Sequence, residues 1–307
     1  MMFATNVAGE GMFQMHINLN LQSLDRLLER CLEEDIGSGD ITTNSVVPPE
    51  LETTAFIKAR QDGVIAGLPV ARAVFRKLDP ELVFTPQVAE GAQVTAGTVL
   101  AKLAGRARTI LTGERLALNF LQRLSGVATL TDRLVRLAGD YPVRLVDTRK
   151  TTPGLRALEK YAVRVGGGHN HRLGLFDAVL IKDNHIQAAG GITQAIKRAR
   201  TELPHTVKIE VEVEELAGVS EALEAGADII MLDNMTPENM ARAVALVKGR
   251  ALTEASGGIT AANLAAVAAT GVDVISMGAL THSAPALDIS LDLGRLKAAP
   301  EAKEMST

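Results

Sequence analysis

From Val143 to Gly278 six short strand-like runs, "VRLVDT", "AVLIKDN", "KIEVEV", "DIIMLDN", "ALTEASG" and "VDVISMG", alternate with helical stretches. The intervening segments include "GITQAIKRAR" and "TAANLAAVAAT", with Ala and Leu prominent. Such alternation implies a parallel sheet with right-handed crossovers. An open doubly wound sheet or a closed barrel would satisfy it. Two features favour a barrel. Nearly every strand ends in polar residues, as at Asp147 to Lys150, Lys182 to His185, Asp233–Asn234, Ser256–Gly257 and Ser276 to Gly278. A β/α barrel gathers its site at many strand ends, whereas an open sheet concentrates it at one switch point. In addition, "IEVEVE" puts Glu210, Glu212 and Glu214 on one face and valines on the other, so the glutamates would point to a barrel axis.

The first part of the chain has a different texture. "LQSLDRLLERCLEED" and "LPVARAVFRKL" keep helical spacing. "TTAFIKARQDGVIAG" and "ELVFTPQVAEGAQVTAGTVLAKLAG" predict strands and turns, and "EDIGSGDITT" an acidic loop. The run "EGAQVTAGTVLAKLAG" resembles a biotinyl or lipoyl carrier turn only superficially, since it offers no lysine at a hairpin tip. A long helix is expected from Thr112, which would cap it, with a bend at Ser125–Gly126. The expected division is a frayed 1–18, a small α+β domain after it, and then a barrel domain that, with only six strands clear, falls short of eight.

The net charge is -4, which argues against nucleic acid as a general partner. No apolar run approaches the roughly 20 residues of a membrane span. The start, "MMFATNVAGEGMFQMH", has no Arg or Lys and does not read as a signal or transit peptide. Cys31 is the single cysteine, so a disulfide framework is excluded, and a cytoplasmic location is expected.

Against that acidic background, "DTRKTTPGLRALEKYAVRVGGGHNHRLGLFDAVLIKDNH" concentrates cations. Arg156, Lys160 and Arg164 recur at four-residue spacing on a helix that Pro153 would start, and Glu159, Lys160 and Arg156 read as its solvated face. Arg149, Lys150, Arg172 and Lys182 stand at strand ends or after a Gly-rich turn, and read as anion binders. "RVGGGHNHR" is not a P-loop. His169 and His171 are too few for zinc; His171, beside Arg172, reads as an anion donor, and His169 and His185 as structural. Buried carboxylates need cations or metal, so Arg149, Lys150 and Lys182 are the expected company of the three glutamates. Glu212 and Asp233 could share Mg²⁺ through oxygen. The Gly-rich loops of "SGGITAANL" and "SMGAL" suit a phosphate held by backbone N–H groups.

These stretches, with "IEVEVE", "IIMLDN", "EASGGI", "SMGALTHS" and "GERLALNFLQRLSGVAT", resemble quinolinate phosphoribosyltransferase over about residues 20–295. The resemblance implies an N-terminal α+β open sandwich over 19–125, with 288–307 returning to it, and an incomplete, six- to seven-stranded α/β barrel over 126–287. It implies transfer of phosphoribosyl from 5-phosphoribosyl 1-diphosphate to quinolinate with decarboxylation, using Mg²⁺. The products would be nicotinate mononucleotide, diphosphate and CO₂, a step of NAD biosynthesis. It further implies a homodimer with a shared site, larger assemblies also occurring in the family. Carried across, Arg149, His171, Arg172 and Lys182 would hold the two carboxylates, with Thr148 beside them. Arg115 would reach the same substrate from the partner subunit. Lys150 would meet the diphosphate, Glu212 and Asp233 the Mg²⁺-bound ribose and diphosphate, and Ser256, Gly257, Gly258 and Gly278 the 5-phosphate. Lys150, Lys182, Glu212 and Asp233 would form the catalytic set. Two enzyme alternatives stay open: a paralogue using another pyridine or base, and a Schiff-base aldolase through Lys182.

Overall fold

The computed structural model describes residues 21–294, so the expectation for 1–18 and most of 288–307 lies outside it. The described residues divide into two compact units, 21–125 with 286–294, and 126–285.

The first unit contains α1 (Leu21–Ile36), α2 (Ile41–Val46), β1 (Glu52–Ala59), β2 (Gly63–Val64), α3 (Leu68–Leu78), β3 (Val83–Pro86), β4 (Gln93–Val94), β5 (Val99–Arg106) and the start of α4 (Ala107–Ala138). Both ends of the expected acidic loop "EDIGSGDITT" are helical instead, Glu34 to Ile36 closing α1 and Ile41 to Thr43 opening α2. Asp40 caps α2 by accepting from the Thr43 N–H at 2.9 Å. Alternate residues Ala55, Ile57 and Ala59 of β1 are buried. α3 buries Leu68, Val70, Ala71, Val74 and Phe75, its apolar stripe. The helix α4 begins five residues before Thr112, directly from β5. Thr112 is therefore internal rather than a cap, and its hydroxyl donates to Asp40 at 3.2 Å.

The second unit carries β6 (Arg144–Val146), α5 (Arg156–Val165), β7 (Val179–Ile181), α6 (Asp183–Ala189), α7 (Ile192–Glu202), β8 (Ile209–Val213), α8 (Leu216–Glu224), β9 (Ile229–Asp233), α9 (Pro237–Val247), β10 (Leu252–Ser256), α10 (Leu264–Ala268), β11 (Val274–Ser276) and α11 (Ala279–His282). The expected six strands all form. Their order is β6-β11-β10-β9-β8-β7, every pairing parallel. The sheet is extended beside β6 by a single parallel bridge, Val146 to His169. This is an incomplete α/β barrel. The chain then enters β12 (Ile289–Leu293), which pairs antiparallel with β1 and completes the sheet β12-β1-β5-β3 of the first unit.

The Gly-rich turn after α5 has a steric cause. A Cβ on Gly166 would overlap the Ala128 carbonyl and stand 2.8 Å from Thr131, and Gly167 has φ +86. The chain can thus reverse tightly against α4 and run back along α5. Among the described residues no helix is long and apolar enough to cross a membrane.

Candidate active site

The C-terminal strand ends of the barrel surround a cavity of about 430 Å³. Thr148, Arg149, Lys150, His171, Arg172 and Lys182 line it, together with Glu212, Asp233, Asn234, Ser256, Gly257, Gly258 and Ser276. Leu180 and Met231 supply apolar surface between these charges. Arg149 and Lys150 are exposed and have no ion-pair partner among the described residues. The Thr148 hydroxyl accepts from the Lys150 N–H at 3.0 Å. Thr281 donates to the Lys150 carbonyl at 2.7 Å, and the Lys150 side chain passes over Gly278. Lys182 forms an ion pair with Glu212.

On the opposite side, Gly257 turns against Asn234. Gly257 has φ +80, and a Cβ there would overlap the Asn234 Oδ1 and stand 2.9 Å from its backbone N. Asn234 itself is left-handed, with φ 53. Its N–H donates to the Ser256 carbonyl at 2.9 Å and its amide to Asp233 at 2.7 Å. The turns after β9 and β10 are thereby locked together. The helix expected after the Gly-Gly turn shortens to α10, which begins only at Leu264, because Asn263 ties the intervening turn to Thr260 and Gly258.

His171 also lines a second cavity of about 440 Å³, together with Glu210 and Glu254. Its Nε2 lies 3.3 Å from Glu210 and 3.4 Å from Glu254. Burial works against a charge on His171, but the two carboxylates outweigh it and push its pKa up to about 10. The Arg172 N–H stands 2.7 Å from Nδ1 and requires a lone pair there. The hydrogen of the neutral ring therefore sits on Nε2, facing the glutamates, and burial raises the pKa of Glu210 beside it. The same amide decides against a metal on this trio, although its ligand atoms lie within 4.8 Å of one another. A metal-bound imidazole needs Nε2 bare and donates from its other nitrogen. The Glu212 and Asp233 pair, all oxygen and beside the cations, is the better match to Mg²⁺, which takes one or two carboxylates plus phosphate oxygens.

The helix α5 overturns part of the sequence reading. Glu159 and Lys160 are buried, not solvated. Glu159 accepts from the Thr152 N–H at 3.0 Å and hydroxyl at 2.7 Å. Lys160 pairs with fully buried Asp147 and donates to the His171 carbonyl at 3.0 Å. Asp147 accepts from the His171 N–H at 3.0 Å and from Asn170 at 2.5 Å. Burial raises the Asp147 pKa, while Lys160 and the other donors oppose that rise. Arg156 is half-buried and donates to the carbonyls of Leu173, at 3.1 Å, and Arg149, at 3.4 Å. Pro153 lies in the turn before α5, whose first residue is Arg156.

Two domain descriptions match the chain: quinolinate phosphoribosyl transferase, N-terminal domain, over residues 40–125, and C-terminal domain, over residues 127–292. The chain belongs to the quinolinate phosphoribosyltransferase family. It is 50% identical over 275 residues to the probable nicotinate-nucleotide pyrophosphorylase (carboxylating) of Synechocystis sp., spanning 89% of this chain and 93% of that relative. The corresponding Bacillus subtilis protein is 47% identical, over 90% and 95% of the two chains. Among solved structures, NadC from Streptococcus pyogenes superposes with a TM-score of 0.88 at 44% identity, covering 91% of this chain and 99% of its own. The nicotinate-nucleotide pyrophosphorylase from Francisella tularensis gives 0.86 at 43%, covering 90% and 98%.

Within this family member the barrel brings together Thr148, Arg149, Lys150, His171, Arg172, Lys182, Glu212, Asp233, Ser256, Gly257 and Gly258 around one cavity. Gly278 packs under Lys150. Arg115 stands exposed on α4, in the first unit. Glu212 takes Lys182 as its partner, in line with the expected pairing. Glu210 instead takes His171, and Glu214 is exposed because β8 ends at Val213. His185 caps its own helix, accepting from the Lys182 N–H at 3.0 Å. His169 contacts Arg164 at 2.7 Å. The sequence reading missed Glu254 and the Asp147–Lys160 pair. A single Glu inside "ALTEASG" carries a weak signal, whereas Asp147 opening the cationic segment was a usable one.

Proposed function

We propose that this chain transfers the phosphoribosyl group of 5-phosphoribosyl 1-diphosphate to quinolinate, with loss of CO₂ to give nicotinate mononucleotide and diphosphate. The observation that carries this reading is one cavity with a cationic side, an apolar floor and a side made of carboxylates and a Gly-Gly turn. A flat ring bearing two carboxylates suits the apolar floor of Leu180 and Met231 with Arg149, Arg172 and Lys182 around it. Guanidinium groups match carboxylates as bidentate forks. The Ser256–Gly257–Gly258 turn, with Gly278, suits the 5-phosphate, since small residues let backbone amides approach closely.

In this reading the pyridine nitrogen forms its bond to ribose C1 as the C1–oxygen bond to diphosphate breaks. Lys150 stabilises the departing negative charge. Glu212 and Asp233 would hold Mg²⁺, which when bound neutralises diphosphate oxygens. The ring nitrogen becomes cationic, so the bond to the adjacent carboxylate can break, its electron pair remaining on the ring carbon until a proton arrives. Arg149 and Arg172 serve by alignment. The Glu212 ion pair suits Lys182 to anion recognition rather than imine chemistry.

Incubation with Mg²⁺, 5-phosphoribosyl 1-diphosphate and quinolinate should release CO₂ and nicotinate mononucleotide. Folded protein giving neither product would refute the assignment, and turnover of another pyridine alone would favour the paralogue. The active assembly is proposed to be a homodimer in which Arg115 reaches the partner's cavity. Mixing an Arg115→Ala chain with an Arg172→Ala chain should then restore partial activity.

A further inference from the structure

The cation row of α5 has no place in the reaction as assigned. Its three members nevertheless share one target. Arg164 donates to the Gly168 carbonyl at 3.0 Å, Lys160 to His171 at 3.0 Å and Arg156 to Leu173 at 3.1 Å. After the Gly-rich reversal the chain runs back along the helix, and side chains four residues apart grip carbonyls three and two residues apart on it, those of Gly168, His171 and Leu173. This return segment has one β-bridge and no ladder, so its peptide groups need other partners. At His171 both peptide groups are taken by the two members of a single buried ion pair. Asp147 accepts its N–H and Lys160 donates to its C=O. Asn170 ties the pair further, donating to Asp147 at 2.5 Å and to the Lys160 carbonyl at 2.9 Å.

A buried ion pair is a poor device for stability alone, because desolvating both charges offsets their attraction. What this pair does supply is a fixed peptide plane immediately before Arg172. We propose that Asp147 and Lys160, extended by Arg156, are positioning residues that aim His171 and Arg172 at the carboxylates of the pyridine substrate. This rests on the reading of that cavity given above. None of the three need touch the substrate. Displacing Arg172 by about an ångström would cost on the order of a hundredfold in a well-aligned site.

The test replaces the pair as a unit, Asp147→Asn with Lys160→Met, since removing both charges is far milder than removing one. Binding of quinolinate alone and of 5-phosphoribosyl 1-diphosphate with Mg²⁺ is measured by calorimetry, beside the melting temperature. The expected result is quinolinate affinity lower by about 10- to 100-fold with diphosphate-substrate affinity changed by less than about threefold, since of its proposed contacts only Lys150 shares the β6 end with Asp147. Unchanged quinolinate affinity, or equal loss of both ligands, overturns the proposal in favour of a purely structural pair. If the double variant does not fold, Arg156→Gln decides. Losing its carbonyl contacts should weaken quinolinate by about three- to tenfold and spare the other ligand, and no weakening overturns the proposal. Wild-type protein that fails to bind quinolinate overturns the proposed function and this inference together. Wild-type binding with unaffected variants overturns this inference alone.

Discussion

Lys150 and Lys160 lie ten residues apart in one cationic segment and have opposite fates. Lys150 is exposed at the cavity mouth with no ion-pair partner among the described residues. Lys160 is 3% exposed, paired with Asp147 at 0%. A cation at the mouth keeps its charge for a visitor, while one behind the wall spends it on the protein's own peptide groups. Residue type does not separate the two roles; burial and partners do.

The sharpest way to break this contrast is to substitute each lysine singly by Met. Lys160→Met strands a fully buried carboxylate and should destabilise the protein by about 3–5 kcal/mol in urea unfolding. Lys150→Met removes an exposed charge and should change stability by less than about 0.5 kcal/mol, while weakening 5-phosphoribosyl 1-diphosphate. Equal stability of the two variants would dissolve the distinction.

The glycine side of the cavity gives the next largest effect. Gly257→Ala meets both a left-handed φ of +80 and the Asn234 backbone. It should lose about 2–3 kcal/mol together with affinity for the phosphorylated substrate. Gly258→Ala, with φ +61 but a Cβ 4.0 Å from the nearest Asn234 atom, should lose only about 1 kcal/mol. Matching losses at the two positions would remove the Asn234 contact from the explanation. On the cationic side, Arg149→Ala should weaken quinolinate by about 10- to 100-fold at nearly unchanged melting temperature. A fall in melting temperature without a change in affinity would move Arg149 into the structural class.

The strands of the barrel, α3 and the strand-end cavity were all legible from periodicity and from polar residues at the ends of apolar runs. The role of α5 was not. Its Lys160 and Glu159 look like solvated helix residues because their partners, Asp147 and Thr152, lie on the preceding strand end and turn, and meet them only through tertiary packing. Glu254 was hidden for a related reason. Pairing through β9 aligns Glu254 with Met231 and Glu212 rather than with Glu210. Barrel strands tilt and stagger, so residues offset in register can share a level of the interior. His171 bridges that offset, and no spacing within either strand announces it.

The pH response of that interior trio should be the most diffuse effect, since it is spread over coupled groups. The charged neighbours of His171 are Glu210 on β8, Glu254 on β10 and adjacent Arg172, with Asp147 and Lys160 at its peptide groups. The cluster binds its proton more tightly when folded, so the pKa is raised from 6.5 to about 10. A raised pKa contributes stability that is fully present below pH 6.5 and is lost as pH climbs through about 10. The melting temperature should therefore decline across that alkaline window. In Glu210→Gln with Glu254→Gln, burial alone acts on His171 and favours the neutral ring, so the decline should flatten. An identical decline in the double variant would assign the proton to groups elsewhere. Persistence of the decline in Glu210→Gln alone would place it on the His171–Glu254 contact, and its disappearance there would make the Glu210 carboxyl its main seat.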